Sequence, residues 1–207
     1  MAKIKLIVFD LDGVLVEANK LHYEALNEAL GEDYAISWNE HLSTYNGLKT
    51  NQKLEMLSEE KDLPVNRHKA VWQLKQKLTH QKLKELKPNQ TLQSIMDALV
   101  NDGYKIAVCS NSIRKTCLTV LSKLGIMEFL DLVISNEDVK NAKPHPEMYW
   151  KAMSIMSCLP EETLIVEDSP YGLLAAFRSN AHVLRVLNPT EVTYTSIFKK
   201  LTDIEGE

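Results

Sequence analysis

Four short clusters in this 207-residue chain hold residue types that could do chemistry together. They are Asp10-Leu11-Asp12-Gly13, Ser110-Asn111-Ser112, Lys143-Pro144-His145-Pro146 and Glu167-Asp168-Ser169. Taken singly each is ordinary, since an Asp or Ser beside an apolar run often only closes a turn or caps a helix. Their joint occurrence is harder to dismiss. Carboxylates gathered in one volume repel one another unless a cation sits among them. A hard divalent ion with oxygen ligands suits such a place, and Mg²⁺ commonly uses a few carboxylates, waters and a substrate phosphate. Lys143 and the Ser110 hydroxyl would then bind phosphate oxygens, helped by backbone N–H groups just beyond each strand. A carboxylate can attack phosphorus and form an aspartyl phosphate. A second carboxylate two residues on can reach the leaving-group oxygen and move its proton. Gly13 would let the chain turn sharply enough for Asp10 and Asp12 to face the same site.

These clusters need a scaffold that brings them together. Five apolar runs read as strands: Ile4–Phe9, Lys105–Cys109, Leu130–Ser135, Thr163–Val166 and Ala181–Val186. They are nearly continuous in Val, Ile and Leu, as strands covered on both faces should be. Helical patterns over Thr91–Asn101, Ile113–Leu124, Pro146–Met156 and Tyr171–Ser179 separate the last four. Such alternation predicts an α/β fold with a doubly wound parallel sheet. Parallel strands end on the same side, so the clusters at their ends should converge. Roughly 90 residues separate the first two strands, and helical periodicity recurs there over Leu21–Leu30, Asn51–Leu57 and Val65–Leu86. Pro64 stands where a first-turn proline belongs and Pro88 marks the return to the sheet. The expected organisation is a core of residues 1–17 and 85–207 with an all-helical insert, 18–84, over the edge of the sheet where ligands bind.

Composition narrows the partners. A formal net charge of -4 gives no reason to expect nucleic acid or an anionic membrane. The basic run Lys69–Lys87 alternates with Leu and Gln at helical spacing, which predicts a solvated helix face. Cys109, Cys117 and Cys158 show no metal-ligand spacing and read as small buried thiols. No segment approaches the roughly 20 apolar residues that span a bilayer, and the first apolar run is too short for a signal peptide. The expectation is a cytoplasmic protein, a monomer or weak oligomer, acting on a phosphorylated small molecule.

The four clusters resemble the motifs of the haloacid dehalogenase superfamily of phosphotransferases. The matching segments are Asp10 to Leu15, Ser110-Asn111, Lys143 to Pro146 and Glu167 to Gly172, in order and across essentially the whole chain. The Lys-Pro-His-Pro-Glu and Glu-Asp-Ser-Pro-Tyr-Gly forms look like the branch that includes β-phosphoglucomutase and phosphoglycolate phosphatase. The resemblance implies Asp10 as nucleophile and metal ligand, and Asp12 as acid/base that also gives the metal its backbone carbonyl. It implies Ser110, Asn111 and Lys143 as phosphate-binding, Asp168 as a direct ligand of Mg²⁺ and Glu167 as a ligand through water. Asp12 argues against a dehalogenase. A phosphatase is the reaction implied. A phosphomutase of the β-phosphoglucomutase type is the alternative, and a non-catalytic binding module is a third reading that would require a missing motif residue.

Weaker candidates lie elsewhere. His22 stands where this branch often carries a His near the acid/base, and could otherwise be a helix-surface residue. Asn46-Gly47-Leu48-Lys49-Thr50 resembles the cap segment that contacts substrate, with Lys49 and Thr50 as the candidate side chains, or it is a plain turn. Arg114 could meet a second anionic group at the rim or be an ordinary helix charge. His145, between two prolines, reads as structural, and Trp38, Trp72 and Trp150 as packing residues.

Overall fold

A computed structural model describes residues 3–206. Its sheet has five parallel strands: β1 (Leu6–Phe9), β2 (Lys105–Cys109), β3 (Leu132–Ile134), β4 (Thr163–Glu167) and β5 (His182–Arg185). They lie in the order β3-β2-β1-β4-β5, so β1 is central and its neighbours come from distant parts of the chain. The period-2 geometry of a strand sends alternate side chains to opposite faces. Ile7, Phe9, Ile106, Val108, Leu164 and Val166 enter one apolar cluster, while Leu6, Val8, Ala107, Cys109 and Ile165 enter another. That two-sided burial is why the strands lack polar alternation.

The helices are α1 (Asn19–Leu30), α2 (Trp38–Glu40), α3 (Thr50–Lys61), α4 (His68–Leu83), α5 (Gln90–Asn101), α6 (Arg114–Leu124), α7 (Glu147–Met156), α8 (Pro170–Arg178) and α9 (Tyr194–Gly206). α5, α6 and α9 cover one face of the sheet with Leu92, Met96, Val120, Leu121, Ile197 and Leu201. α7 and α8 cover the other with Met148, Tyr149, Ala152, Ala175 and Ala176. α9 is a further helix beyond those the sequence patterns predict, with Ile197, Leu201 and Ile204 as its buried stripe at helical spacing.

The helices between β1 and β2 bury a cluster of their own. Leu26 and Leu30 of α1, Leu54 and Leu57 of α3, and Val71 of α4 meet there with Ile36, Tyr45 and Leu63. The single helix expected over Val65–Leu86 is a 3₁₀ turn, Val65–Arg67, followed by α4. The Lys69–Lys87 run also departs from a uniformly solvated face. Lys69, Lys77, Lys84 and Lys87 are exposed, but Lys75 is buried. It occupies the inward stripe of α4 with Val71, Thr79 and Leu83, four residues apart each time.

Candidate active site

Register assembles the site. Phe9 pairs with Val108 on one side and Val166 on the other. The next residues, Asp10, Cys109 and Glu167, therefore stand level at the carboxyl ends of three adjacent strands. Lys143 reaches the same point from the loop before α7. Its ammonium donates to Asp10 Oδ1 at 2.6 Å, to Glu167 Oε1 at 2.5 Å and to the Cys109 carbonyl at 2.9 Å. It also sits 5.1 Å from the centre of the Tyr149 ring, whose hydroxyl donates to Glu167 Oε1 at 2.9 Å. Burial opposes the charge on Lys143, yet the Asp10 and Glu167 carboxylates outweigh it and hold its pKa well above the usual lysine range. Removing one partner from so buried a pair costs ~3–5 kcal/mol, because the other charge is left uncompensated.

Asp10, Glu167 and Asp168 bring one oxygen each within 4.8 Å of one another. Burial pushes Asp10 well above the carboxylate range; Lys143 pulls the other way, and Glu167, Asp168 and Asp12 add repulsion. Asp168 is pushed up to about 7, by burial first and then by Glu167. Its Oδ1 is buried with no hydrogen-bond partner. A trio of hard oxygens, two of them resisting ionisation and one orphaned, fits a divalent cation such as Mg²⁺. Glu167 is less free than the others. Its Oε2 accepts from the Asp168 and Ser169 N–H groups and the Ser169 hydroxyl, while Oε1 serves Lys143 and Tyr149. Gly13 makes the cluster possible: its φ is +93°, and a Cβ there would overlap the Asp168 carboxylate.

Asp12 points the other way, toward the insert. It accepts from the Ser112 hydroxyl at 2.7 Å, and His22 Nε2 lies 3.1 Å from its Oδ1. Burial alone would raise its pKa, but His22 and Ser112 more than offset that and hold it at about 2. His22 is itself pushed down by burial and by Lys75, against the pull of Asp12. The two aspartates thus sit in opposite electrostatic settings, one in the carboxylate cluster and one among bases.

Both open into a cavity of about 260 Å³ between sheet edge and insert, which Ser110, Asn111, Lys143, His22, Lys49 and Thr50 also line. Ser110 is 1% exposed, and its hydroxyl accepts from the Ser112 N–H at 3.0 Å. The Asn111 side chain is already occupied: its amide donates to the Gly47 and Lys143 carbonyls at 2.7 and 3.1 Å, and its oxygen accepts from the Lys143 N–H. Asn111 therefore braces Lys143 and ties the Asn46–Gly47 turn to the core. Gly47, with φ +81°, comes so near Ser169 that a Cβ would lie 2.6 Å from its Oγ. The Tyr171 hydroxyl donates to the Thr44 carbonyl at 3.2 Å, a second tie between the same parts. Arg114 is not brought to the cavity. It pairs with Asp138 at 2.5 Å on the surface.

Among the lining residues that motifs do not mark are His41, Lys53, Trp72 and Lys75. Trp72 is thus a wall of the cavity, whereas Trp38 stacks on His41 at 5.3 Å and Trp150 meets His145 edge-on. His41 is 1% exposed with neither ring nitrogen bonded, and burial lowers its pKa to about 3. The signal for the lysines was present in the sequence, as charged residues on otherwise apolar helical stripes: Lys53 beside Leu54 and Leu57, Lys75 between Val71 and Thr79.

Comparison with known proteins gives this architecture a context. The family model described as haloacid dehalogenase-like hydrolase matches residues 7–186. A phosphorylated carbohydrates phosphatase of Thermotoga maritima is 28% identical over 174 residues, covering 82% of this chain and 79% of that protein. The pyrophosphatase PpaX of Anoxybacillus flavithermus is 30% identical over 174 residues, covering 83% of this chain and 78% of its own length. Among solved structures, β-phosphoglucomutase from Clostridium difficile superposes with a TM-score of 0.85 over 99% of this chain and 100% of that one, at 21% identity.

Proposed function

The chain belongs to the haloacid dehalogenase-like hydrolase family and is an enzyme of the phosphatase type; on that premise we propose that it hydrolyses a small phosphomonoester, of the sugar-phosphate or phosphoglycolate kind, through a covalent phosphate on Asp10. The observation that carries this reading is the meeting of Asp10, Asp12, Ser110, Lys143 and Ser112 at one small cavity, with Asp10 backed by the Lys143 ammonium at 2.6 Å. Residues 18–84 would act as a cap over a core of 1–17 and 85–207, and would select the leaving group.

In this reading an Asp10 carboxylate oxygen bonds to phosphorus as the ester P–O bond breaks. The bound phosphoryl group, a like charge beside Asp12, would raise its pKa from about 2 in the ligand-free site. Once protonated, Asp12 gives its proton to the departing alcohol and then takes the proton of the water that cleaves the aspartyl phosphate. Ser110, Lys143 and the N–H groups beyond β1 and β2 hold the phosphoryl oxygens. His22 and Ser112 orient Asp12. Mg²⁺ would be held by the carboxylates of Asp10 and Asp168, by the Asp12 carbonyl and through water by Glu167, and when bound it would neutralise charge on the transferring oxygens. Asp10→Asn should abolish phosphate release from sugar phosphates and phosphoglycolate while leaving the circular dichroism spectrum unchanged. Substantial remaining turnover would refute the role of Asp10.

One observation favours a second reading, a phosphomutase. The Asn111–Gly47 and Tyr171–Thr44 bonds hold the insert down on the core, which would keep water from an aspartyl phosphate and prolong its life. Incubation with β-glucose 1-phosphate and a trace of the bisphosphate separates the two: glucose 6-phosphate supports the mutase, free phosphate the phosphatase.

A further inference from the structure

The carboxylate trio of Asp10, Glu167 and Asp168 lies between two cavities. Asp10 and Ser169 line the substrate cavity, whereas Asp168 opens into a broad groove on the other side of the seam between insert and core. Asn19 and Asn46 border both, so the Asn46–Gly47 turn is the wall that divides them. Asn111 fastens this wall through the Gly47 carbonyl at 2.7 Å. Gly47 also packs so close to Ser169 that a Cβ would lie 2.6 Å from its Oγ. Asp168 and Ser169, neighbours in the chain, are thus open to opposite sides of the wall.

The groove has its own character. Pro170, Leu173, Leu174 and Phe177, spaced as one face of α8, form its floor, and Leu42 of the insert and Leu187 beyond β5 close it. Leu174, Phe177 and Leu187 are 40%, 64% and 67% exposed. Such a lip offers a cation no ligand before Asp168. The charges differ as well. Lys49, Lys53, Lys75 and Lys143 line the substrate cavity against Asp10, Asp12 and Glu137, while in the groove Arg185 stands against Asp168. Clustered ammonium groups draw in a phosphate ester and repel a divalent cation. Mg²⁺ also sheds water reluctantly, and a broad groove admits it hydrated.

We propose, on the reading of the carboxylate trio as the metal site, that this groove is a separate port by which the divalent cation reaches and leaves that site. Asp168 is the first ligand the cation meets, and Arg185 at the mouth restrains its approach. Substrate and cation then use opposite sides of the Asn46–Gly47 wall, and the cation exchanges while the insert is closed over the substrate.

Blocking each cavity in turn tests this. Cys109, Cys117 and Cys158 are all buried, so a cysteine introduced in either cavity can be labelled selectively with a bulky maleimide, and labelling reagent added to the wild type serves as control. Leu174→Cys plugs the groove, and Lys49→Cys the substrate cavity. Mn²⁺ uptake and its release to a coloured chelator are followed by stopped flow, with Kd from titration of the free-ion EPR signal. The label at 174 should slow uptake and release about tenfold each and leave Kd within twofold, because closing a route slows both directions alike. The label at 49 should leave both rates within twofold. Rates indifferent to the label at 174, or slowed instead by the label at 49, would overturn the port while leaving the metal site in place. If the wild type takes up no Mn²⁺, the metal reading fails and the port with it. Arg185→Gln, an exposed position, decides the matter should the 174 variant not fold. Its Mn²⁺ uptake should be two- to fivefold faster at low salt, with the gain lost at high salt, and an unchanged rate would refute the port.

Discussion

Lys53→Met should make the ligand-free protein more stable, and the gain should depend on pH. Methionine keeps most of the side-chain volume and removes a charge that has no hydrogen-bond or ion-pair partner among the described residues. The Lys53 pKa falls from the ordinary 10.5 to about 7 in the folded protein, through burial first and then the repulsion of Lys75. At 1.36 kcal/mol per unit this caps the penalty at ~5 kcal/mol. Water in the cavity recovers part of the solvation, so a gain of about 2 kcal/mol is expected, roughly 4–8 °C in Tm for a chain of this size. Below pH 7 both folded and unfolded states hold the proton and the whole penalty is present. Between 7 and 10.5 only the unfolded state holds it, so wild-type stability rises with pH and the advantage of the variant shrinks. Urea unfolding of both proteins at pH 6.5 and 9.5 checks this, in a buffer free of phosphate, sulfate and carboxylates, since an anion bound to the native state would mask the penalty. A variant less stable than the wild type at pH 6.5, or a difference that does not change with pH, would show that Lys53 is satisfied in the folded state and would refute the reasoning.

Other perturbations reach other parts of the site. Gly47→Ala combines a positive φ of 81° with a Cβ 2.6 Å from Ser169 Oγ; it should cost ~2 kcal/mol in urea unfolding and raise KM several-fold by lifting the turn that Asn111 holds, and unchanged stability would mean the turn is not tightly docked. Mg²⁺ at ten times its dissociation constant should stabilise the protein by about 1.4 kcal/mol, visible as a Tm rise that EDTA reverses. Asp168→Ala should remove that rise, and an equal shift in the variant would move the metal elsewhere.

The core of the site was legible in the chain because its chemistry is encoded locally. Asp10, Ser110 and Asp168 each follow an apolar strand within a residue or two, and a parallel sheet must bring such ends together. Strand–helix alternation was equally plain, because full burial on both faces leaves unbroken runs of Val, Ile and Leu in β1, β2 and β4. α9 carries no motif, and only its Ile197–Leu201–Ile204 stripe marks it as a helix.

Other assignments depended on which face of a helix turned inward, and local composition does not set that. Lys75 and Lys77 look alike in the sequence, yet one is buried at the cavity and the other is exposed, because α4 packs along its Val71–Thr79 stripe. Arg114 is four residues past Ser110 but is drawn to Asp138, from the segment after β3. Asn111 has the chemistry of a phosphate ligand, while its side chain is spent on backbone from two other segments. The sequence by itself determined the candidate reactive groups and the strand ends they follow, since burial on both faces is written locally as unbroken apolar runs. The order β3-β2-β1-β4-β5 that sets those ends side by side belongs to the fold. Only the tertiary structure decided that Lys53 and Lys75 look down on Asp12 from the insert, because whether a lysine meets solvent or a cavity follows from how helices far apart in the chain come to pack.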